Sequence, residues 1–195
     1  MKSSVRSGSI PGTILPRDRM NNVTGAEFID KVFYVTDGIM LSQIREITGV
    51  DGTTLQNWVK RGWVKNPTKK AYTKEQLARI LLINMMRDTI QLSQIISLLE
   101  YINGTDEDAR VISECDLYDC VCTVLDSVSD GSSGGLSGID EIILDVLRSF
   151  EEIETAAKVR ILNGIRVMVV TYYATTMKAT AEYMLSAIEN ASKSE

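Results

Sequence analysis

The sequence predicts a mainly α-helical protein in which an N-terminal winged helix-turn-helix precedes an all-helical C-terminal domain. Apolar residues recur at helical spacing from Leu41 onward, side chains typical of helix starts separate the segments, and no proline follows Pro67. The chain has 195 residues, and 44% of them are apolar, which is enough to build a hydrophobic core. We assign an extended or disordered arm to residues 1–25, the winged helix-turn-helix to 26–104 and an acidic helical domain to 105–195.

The start of the chain lacks a periodic apolar pattern and contains two of the three prolines, which is typical of an arm. Residues 26–35 then suit one or two helical turns that pack on the next part of the chain. The helix-turn-helix begins at Leu41. Gly49 is placed to cap the end of its first helix, and Asp51 is placed to cap the start of a second short helix, which Gly62 ends.

Residues 63–72, WVKNPTKKAY, are too short for a further helix and suit a small β-wing that carries three lysines. The tetrapeptide Thr73-Lys74-Glu75-Gln76 matches a capping box, which predicts a third helix to about Asp88. The pattern then predicts another helix over about 93–104.

The C-terminal half predicts further helices. Residues 106–129 start with three carboxylates, which favour a helix N-terminus, and residues 129–138, SDGSSGGLSG, are typical of a flexible connector. Helical periodicity returns at Ile139 and continues to about Ala191. Beyond Val159 apolar residues occupy nearly every side of the helix, so it needs several neighbours, some of which we expect to belong to a second copy of the chain.

Composition excludes several classes of protein. The chain has no histidine, which rules out Ser-His-Asp and Cys-His catalysis and the usual histidine-containing zinc sites, so we expect no enzymatic activity and no cofactor. It shows neither a membrane-spanning apolar stretch nor a signal-peptide core, so we expect a cytoplasmic protein without a membrane partner. We interpret Cys115, Cys120 and Cys122 as core residues; ligation of a soft metal by their thiolates is the alternative.

The net charge of −5 conceals two oppositely charged segments. Residues 41–88 carry 9 basic and 4 acidic side chains, a net of +5. Residues 89–195 carry 7 basic and 18 acidic ones, a net of −11. This asymmetry indicates that the two segments have different roles, and the basic one suits a nucleic acid.

The second helix of a helix-turn-helix enters the DNA major groove with its N-terminal polar side chains first. Glutamine and asparagine can pair with adenine, threonine can contact a base or a phosphate, and lysine and arginine attract the backbone. Each of these residues alone is more typical of a solvated surface; their order and spacing favour DNA. Leu55 and Trp58 should face the core. The candidate DNA-binding residues from this pattern are Thr53, Thr54, Gln56, Asn57, Lys60, Arg61, Lys65, Lys69 and Lys70.

The stretch LSQIREITGVDGTTLQNWVKRGWV resembles the helix-turn-helix of MerR-type transcriptional regulators, with Gly49-Val50, Thr54-Leu55 and Gly62-Trp63 in the corresponding places. NWVKRGWVKNPTKKAYTKEQL is similar to an uncharacterised family of MerR-like bacterial proteins. The resemblance covers about residues 40–104 and implies phosphate contacts by Lys70 and Tyr72. Base preference is not implied, because Gln56 and Asn57 replace the arginine and tyrosine usual in MerR proteins.

We therefore predict a sequence-specific DNA-binding transcriptional regulator that acts as a homodimer through its C-terminal helices. Dimerisation is expected because one short helix reads few bases and symmetric pairing doubles the contacts. The alternative is a protein-interaction module built on a helix-turn-helix scaffold without specific DNA readout. A small-molecule effector of the helical domain is compatible with the first hypothesis.

Overall fold

A computed structural model of the protein describes residues 8–21, 23–105, 110–129 and 138–192, which are mainly helical, as predicted. Two short strands, β1 (Ile39–Met40) and β2 (Ala71–Tyr72), pair in antiparallel orientation with Ile39 opposite Tyr72. The helices are α1 (Gly25–Val32), α2 (Leu41–Thr48), α3 (Gly52–Lys60), α4 (Lys74–Met86), α5 (Leu92–Asn103), α6 (Glu114–Ser129), α7 (Ile139–Val146) and α8 (Thr155–Ser192).

The first described segment differs from the predicted arm. Ile10 is 0% exposed, the carbonyl of Pro11 accepts a 2.8 Å hydrogen bond from the Tyr118 hydroxyl, and Arg17 forms an ion pair with Asp126 on α6. Residues 8–20 thus pack against the helical body, because burying an isoleucine and pairing backbone carbonyls offsets the entropy of ordering them. Residues 1–7 of the predicted arm lie outside the described ranges.

Local capping signals set the ends of the N-terminal helices, as the sequence predicted. Gly49 closes α2 with φ of 70°, a left-handed conformation that suits glycine. Asp51 caps α3 by accepting a 2.9 Å hydrogen bond from the backbone N–H of Thr54. Thr73 caps α4 through the predicted capping box, in which the Gln76 side chain accepts from the Thr73 backbone N–H.

Helix α4 lies at the centre of the protein. Its residues Leu77 to Ile83 are almost all buried, because α1, α2, α5, α6 and α8 pack around it. One hydrophobic core extends from Ile10 to Val169, so the predicted segments 26–104 and 105–195 share that core. Packing therefore does not separate the two segments, and the division between them stays a prediction.

Two helix boundaries in the acidic half differ from the prediction. Helix α6 begins at Glu114, where the Ser113 hydroxyl accepts from the Asp116 backbone N–H at 2.9 Å, and residues 110–113 before it are not helical. The predicted continuous helix from Ile139 is interrupted after α7 by a 3-10 turn at Leu147–Ser149. Leu147 is buried at this break, which allows both α7 and α8 to pack on α6. The carboxylates at 106–108 and the connector at 130–137 lie outside the described residues.

Helix α8 has two parts with different surroundings. In its first half Ile161, Ile165 and Met168 are fully buried, and Gly164 allows close packing on Ile102 of α5, where a Cβ would overlap the isoleucine side chain. Every residue from 176 to 191 is exposed. None of the helices within the described residues is long and apolar enough to cross a membrane.

Candidate nucleic-acid interface

Helix α3 has one buried and one exposed face. Leu55 and Trp58 are buried, as the three-residue spacing predicted. The candidate residues Thr53, Gln56 and Asn57 are exposed on the surface of the same helix, and so is Lys60 at its last turn. The apolar pair thus holds α3 on the body while its amide and hydroxyl side chains are accessible to a ligand.

Thr54 has a structural role in addition to any contact with a ligand. Its hydroxyl donates a 2.5 Å hydrogen bond to Asp51, and its side chain is half-buried. Hydrogen bonds from the Thr54 side chain and backbone hold the pKa of Asp51 below its usual value. Asp51 is therefore a fixed negative charge at the start of α3, where it satisfies the helix end.

The segment between α3 and α4 ends in a two-residue turn made of lysines. Lys69 and Lys70 have φ of 51° and 67°, and the backbone N–H of Ala71 donates a 2.9 Å hydrogen bond to the carbonyl of Thr68. Positive φ at both central residues defines a type I′ turn, which normally contains asparagine and glycine. The turn presents two exposed ammonium groups at a cost in backbone strain.

A buried side chain holds this segment on α4. The amide nitrogen of Gln76 donates to the carbonyls of Lys65 and Asn66 at 2.9 and 3.2 Å, while its amide oxygen accepts from the Thr73 backbone. The capping box predicted the last of these bonds. The first two join residues eleven and ten apart and have no local sequence signal.

The two tryptophans differ in burial. Trp58 is in the core, as expected, whereas Trp63 is half-buried and lies under Arg61, whose guanidinium carbon is 5.0 Å from the ring centroid. Arg79 donates to the Trp63 carbonyl at 2.5 Å. The cation–π contact between Arg61 and Trp63 orients the exposed Arg61 beside the end of α3.

Positive charge remains uncompensated at this surface. Among the described residues, Lys60, Lys69 and Lys70 form no ion pair. By contrast, Lys74 pairs with Asp30, and Arg79 pairs with the buried carboxylate of Glu114 at 2.6 Å. The basic surplus of residues 41–88 is thus concentrated around α3 and the lysine turn.

Sequence reasoning missed one cation near the same surface. Arg45 is exposed on α2, and its side chain lies beside Gly52 at the first turn of α3. The amphipathic pattern of α2 places Arg45 on the exposed side of the helix, and this pattern could have identified it as a candidate. Lys65, the remaining candidate cation, is also exposed and lies two residues after Trp63.

Tyr72 differs from the other candidates. It is 4% exposed, and burial raises the pKa of its hydroxyl. Its burial in the strand pair does not fit the phosphate contact that the MerR resemblance implied, because little of the side chain is accessible. Tyr72 instead forms part of a groove of about 460 Å³ between α3 and the lysine turn, lined by Met40, Leu41, Gln56, Val59, Pro67, Lys70 and Tyr72.

The cysteines pack in the hydrophobic core, as predicted. Cys120 and Cys122 are buried and Cys115 is half-buried on α6. Burial raises the pKa of Cys120 to about 12, and it also raises the pKa values of Cys115 and Cys122. No group of three metal-ligating side chains occurs within the described residues.

Residues 26–121, just under half of the chain, match the model of a family described as a domain of unknown function, DUF1836. The match includes all of α2, α3 and the lysine turn and ends within α6. Neither a curated protein nor a solved structure matches the chain. The comparisons therefore report a similarity over this region and assign no activity to it.

Proposed function

We propose that this protein is a sequence-specific DNA-binding transcriptional regulator, with α2, α3, β1 and β2 as a MerR-like winged helix-turn-helix. One observation carries the proposal. The exposed polar face of α3 and the lysine turn border the same groove, with Gln56 on one side and Lys70 on the other. A base-reading helix beside a cationic wing is the arrangement that a winged helix-turn-helix offers to a duplex.

The exposed residues divide into two kinds of contact. Thr53, Gln56 and Asn57 carry the hydrogen-bonding groups that can read base edges in the major groove. Lys60, Lys69 and Lys70 supply positive charge for the phosphates that border the DNA major groove. Arg61 and Lys65 lie nearby in the sequence. The acidic C-terminal half would be repelled by the duplex, which leaves the basic surface as the docking side.

The proposed regulator acts as a homodimer through its C-terminal helices. A nine-residue α3 spans too few base pairs to define an operator, whereas a symmetric dimer reads two half-sites. The exposed apolar residues of α8 support this part of the proposal, because isolated soluble helices rarely keep such a surface uncovered. The proposal places the protein in the bacterial cytoplasm and gives it no enzymatic activity.

Selection of genomic DNA fragments at low and moderate salt tests the proposed function. We expect enriched fragments to share a motif with two related half-sites. Lys69→Ala should weaken binding to selected and random duplexes alike, whereas Arg160→Ala, a matched exposed cation at the start of α8, should leave both affinities unchanged. No enrichment at low salt, or equal effects of the two substitutions, would count against DNA binding through this surface.

A protein-interaction module is the second candidate, and the apolar lining of the same groove favours it. Met40, Leu41 and Val59 could receive an apolar side chain of a protein partner. Salt separates the two functions, because phosphate binding weakens steeply as salt rises, whereas apolar burial does not.

A further inference from the structure

Helix α8 carries an apolar stripe that does not contribute to the core of its own chain. The positions in this stripe follow one another at alternating steps of three and four residues, the spacing of the a and d positions of a heptad repeat. We call it the heptad stripe; its members are Val167, Val170, Ala174, Met177, Ala181, Met184, Ile188 and Ala191.

The heptad stripe faces away from the body. The buried residues of α8, such as Ile161, Ile165 and Met168, lie on the opposite side of the helix. Met177 is 73% exposed and Met184 is 61% exposed. The positions beside the heptad stripe are mixed: Lys178 is charged and lies 4.0 Å from Glu182 along its own helix, whereas Leu185 is apolar and 57% exposed.

We propose that the heptad stripe pairs with the same stripe of a second copy in an antiparallel coiled coil. The proposal specifies the dimer of the proposed function and rests on it only for the biological role of dimerisation. An antiparallel pair is symmetric about a twofold axis perpendicular to the helices, so each contact occurs twice. Here that axis lies level with residue 179, and the two numbers in each facing pair add up to 358.

Side-chain size selects this orientation and register. Ala174 faces Met184 of the second copy, and Met177 faces Ala181 of the second copy, so each small residue lies opposite a large one. The outer layers combine Val170 with Ile188 and Val167 with Ala191. Alternating large and small residues across a helix pair fills the interface evenly.

A parallel pair would fill the interface less well. Parallel coiled coils place identical residues opposite one another, so Ala174 and Ala181 would each face another alanine. Met177 and Met184 would each face another methionine in the adjoining layers. Gaps at the alanine layers lose dispersion contacts, and the methionine layers force the helices apart.

The length and charge of the segment are compatible with the pairing. The 25 residues from 167 to 191 extend for about 36 Å, which is three and a half heptads. Near the twofold axis Lys178 approaches Lys178 of the second copy. Its ion pair with Glu182 reduces that repulsion, which screening by salt lowers further.

Disulfide cross-linking tests the orientation directly. Two single variants, Ala174→Cys and Met184→Cys, are purified with tags of different size, mixed and oxidised mildly. Positions 174 and 184 of different copies face one another in the proposed register, whereas like positions are separated by about 15 Å, too far for a disulfide. We expect a cross-link between the two variants in the mixture, and only the wild-type level of cross-linking in each variant alone.

Wild-type protein controls for the native cysteines, two of which are buried. If each variant alone formed a cross-link, and mixing the two variants produced no additional cross-link between them, the pair would be parallel and the proposal would be overturned. Absence of any cross-link above the wild-type level would overturn it as well.

Oligomeric state gives a second test that does not depend on oxidation. Met184→Glu should shift the protein from dimer to monomer in sedimentation velocity, because it buries charge in the Ala174 layer. Ser186→Glu, on the outer side of the same helical turn, is the matched control and should remain dimeric. Both positions are exposed in the single chain, so neither change should alter its fold.

These outcomes separate the inference from the proposed function. Cross-linking as expected without DNA binding would overturn the proposed function alone. DNA binding by a dimer that cross-links in parallel would overturn the antiparallel pair alone. DNA binding by a monomer would overturn both the antiparallel pair and the dimeric part of the proposed function.

Discussion

In the proposed function Lys70 is both a strained turn residue and a phosphate contact, so Lys70→Gly should raise stability and lower DNA affinity. Lys70 occupies a left-handed conformation with φ of 67° in the lysine turn. That conformation costs an L-residue about 1–2 kcal/mol, and glycine adopts it freely but loses about 0.5–1 kcal/mol more conformational entropy on folding. The substitution should therefore stabilise the protein by about 0.5–1 kcal/mol, which raises Tm by roughly 2–4 °C per kcal/mol at this size.

The same substitution should weaken DNA binding. One ammonium group is removed from the turn, so the slope of log Kd against log salt should fall by about 0.9 in magnitude for one lost phosphate contact. Thermal unfolding and fluorescence anisotropy with a selected duplex measure the two effects separately. Lys70→Arg is the matched control, because it keeps both the charge and the strain and should change neither Tm nor the slope.

Two results would refute this reasoning. A lower Tm for Lys70→Gly would show that the turn gains stability from the lysine instead of being strained by it. An unchanged salt slope, with Tm raised as expected, would show that the turn does not contact the backbone of the duplex.

Three further predictions concern single contacts. Gln56→Ala should lose about 1–3 kcal/mol of binding free energy on the preferred site and little on random DNA, by anisotropy, and equal losses would exclude base readout. Arg79→Met should lower the free energy of unfolding in urea by about 1–3 kcal/mol, because the buried Glu114 carboxylate loses its closer partner and keeps only Arg110 at 3.5 Å; an unchanged value would contradict a stabilising role for the Arg79 pair. Asp51→Ala should lower Tm at neutral pH. Because the pKa of Asp51 is lowered in the folded protein, the difference should be fully present above pH 3.8 and should shrink as pH falls through the lowered pKa; a pH-independent difference would contradict that lowered pKa.

Local rules explain which helix boundaries could be predicted. Gly49, Asp51 and Thr73 act on backbone groups within four residues, so their spacing in the sequence fixes their roles. Ile10 and the break at Leu147–Ser149 depend on contacts with distant helices, which no local pattern records. The sequence predicted a β-wing that includes β2 but not its partner β1. Strand β1 lies on the other side of α2 and α3 in the sequence, so no local pattern indicates the pairing.

The candidate site divides in a similar way. Helical periodicity was enough to place Leu55 inside and Gln56 outside. The left-handed Lys69 and Lys70 could not be predicted, because a type I′ turn is normally indicated by asparagine and glycine. Tyr72 was assigned through a resemblance, and its burial depends on its place in the strand pair and the core, which no local pattern records.

The affinity of the wild-type protein for its best selected duplex, measured across a range of salt concentrations, decides between DNA recognition and an apolar protein interface. We predict a steep loss of affinity as salt rises, with a slope that reflects several phosphate contacts, and a preference over random DNA of at least about 10³-fold at physiological salt. Affinity that does not respond to salt, or no preference for the selected sequence, would contradict it.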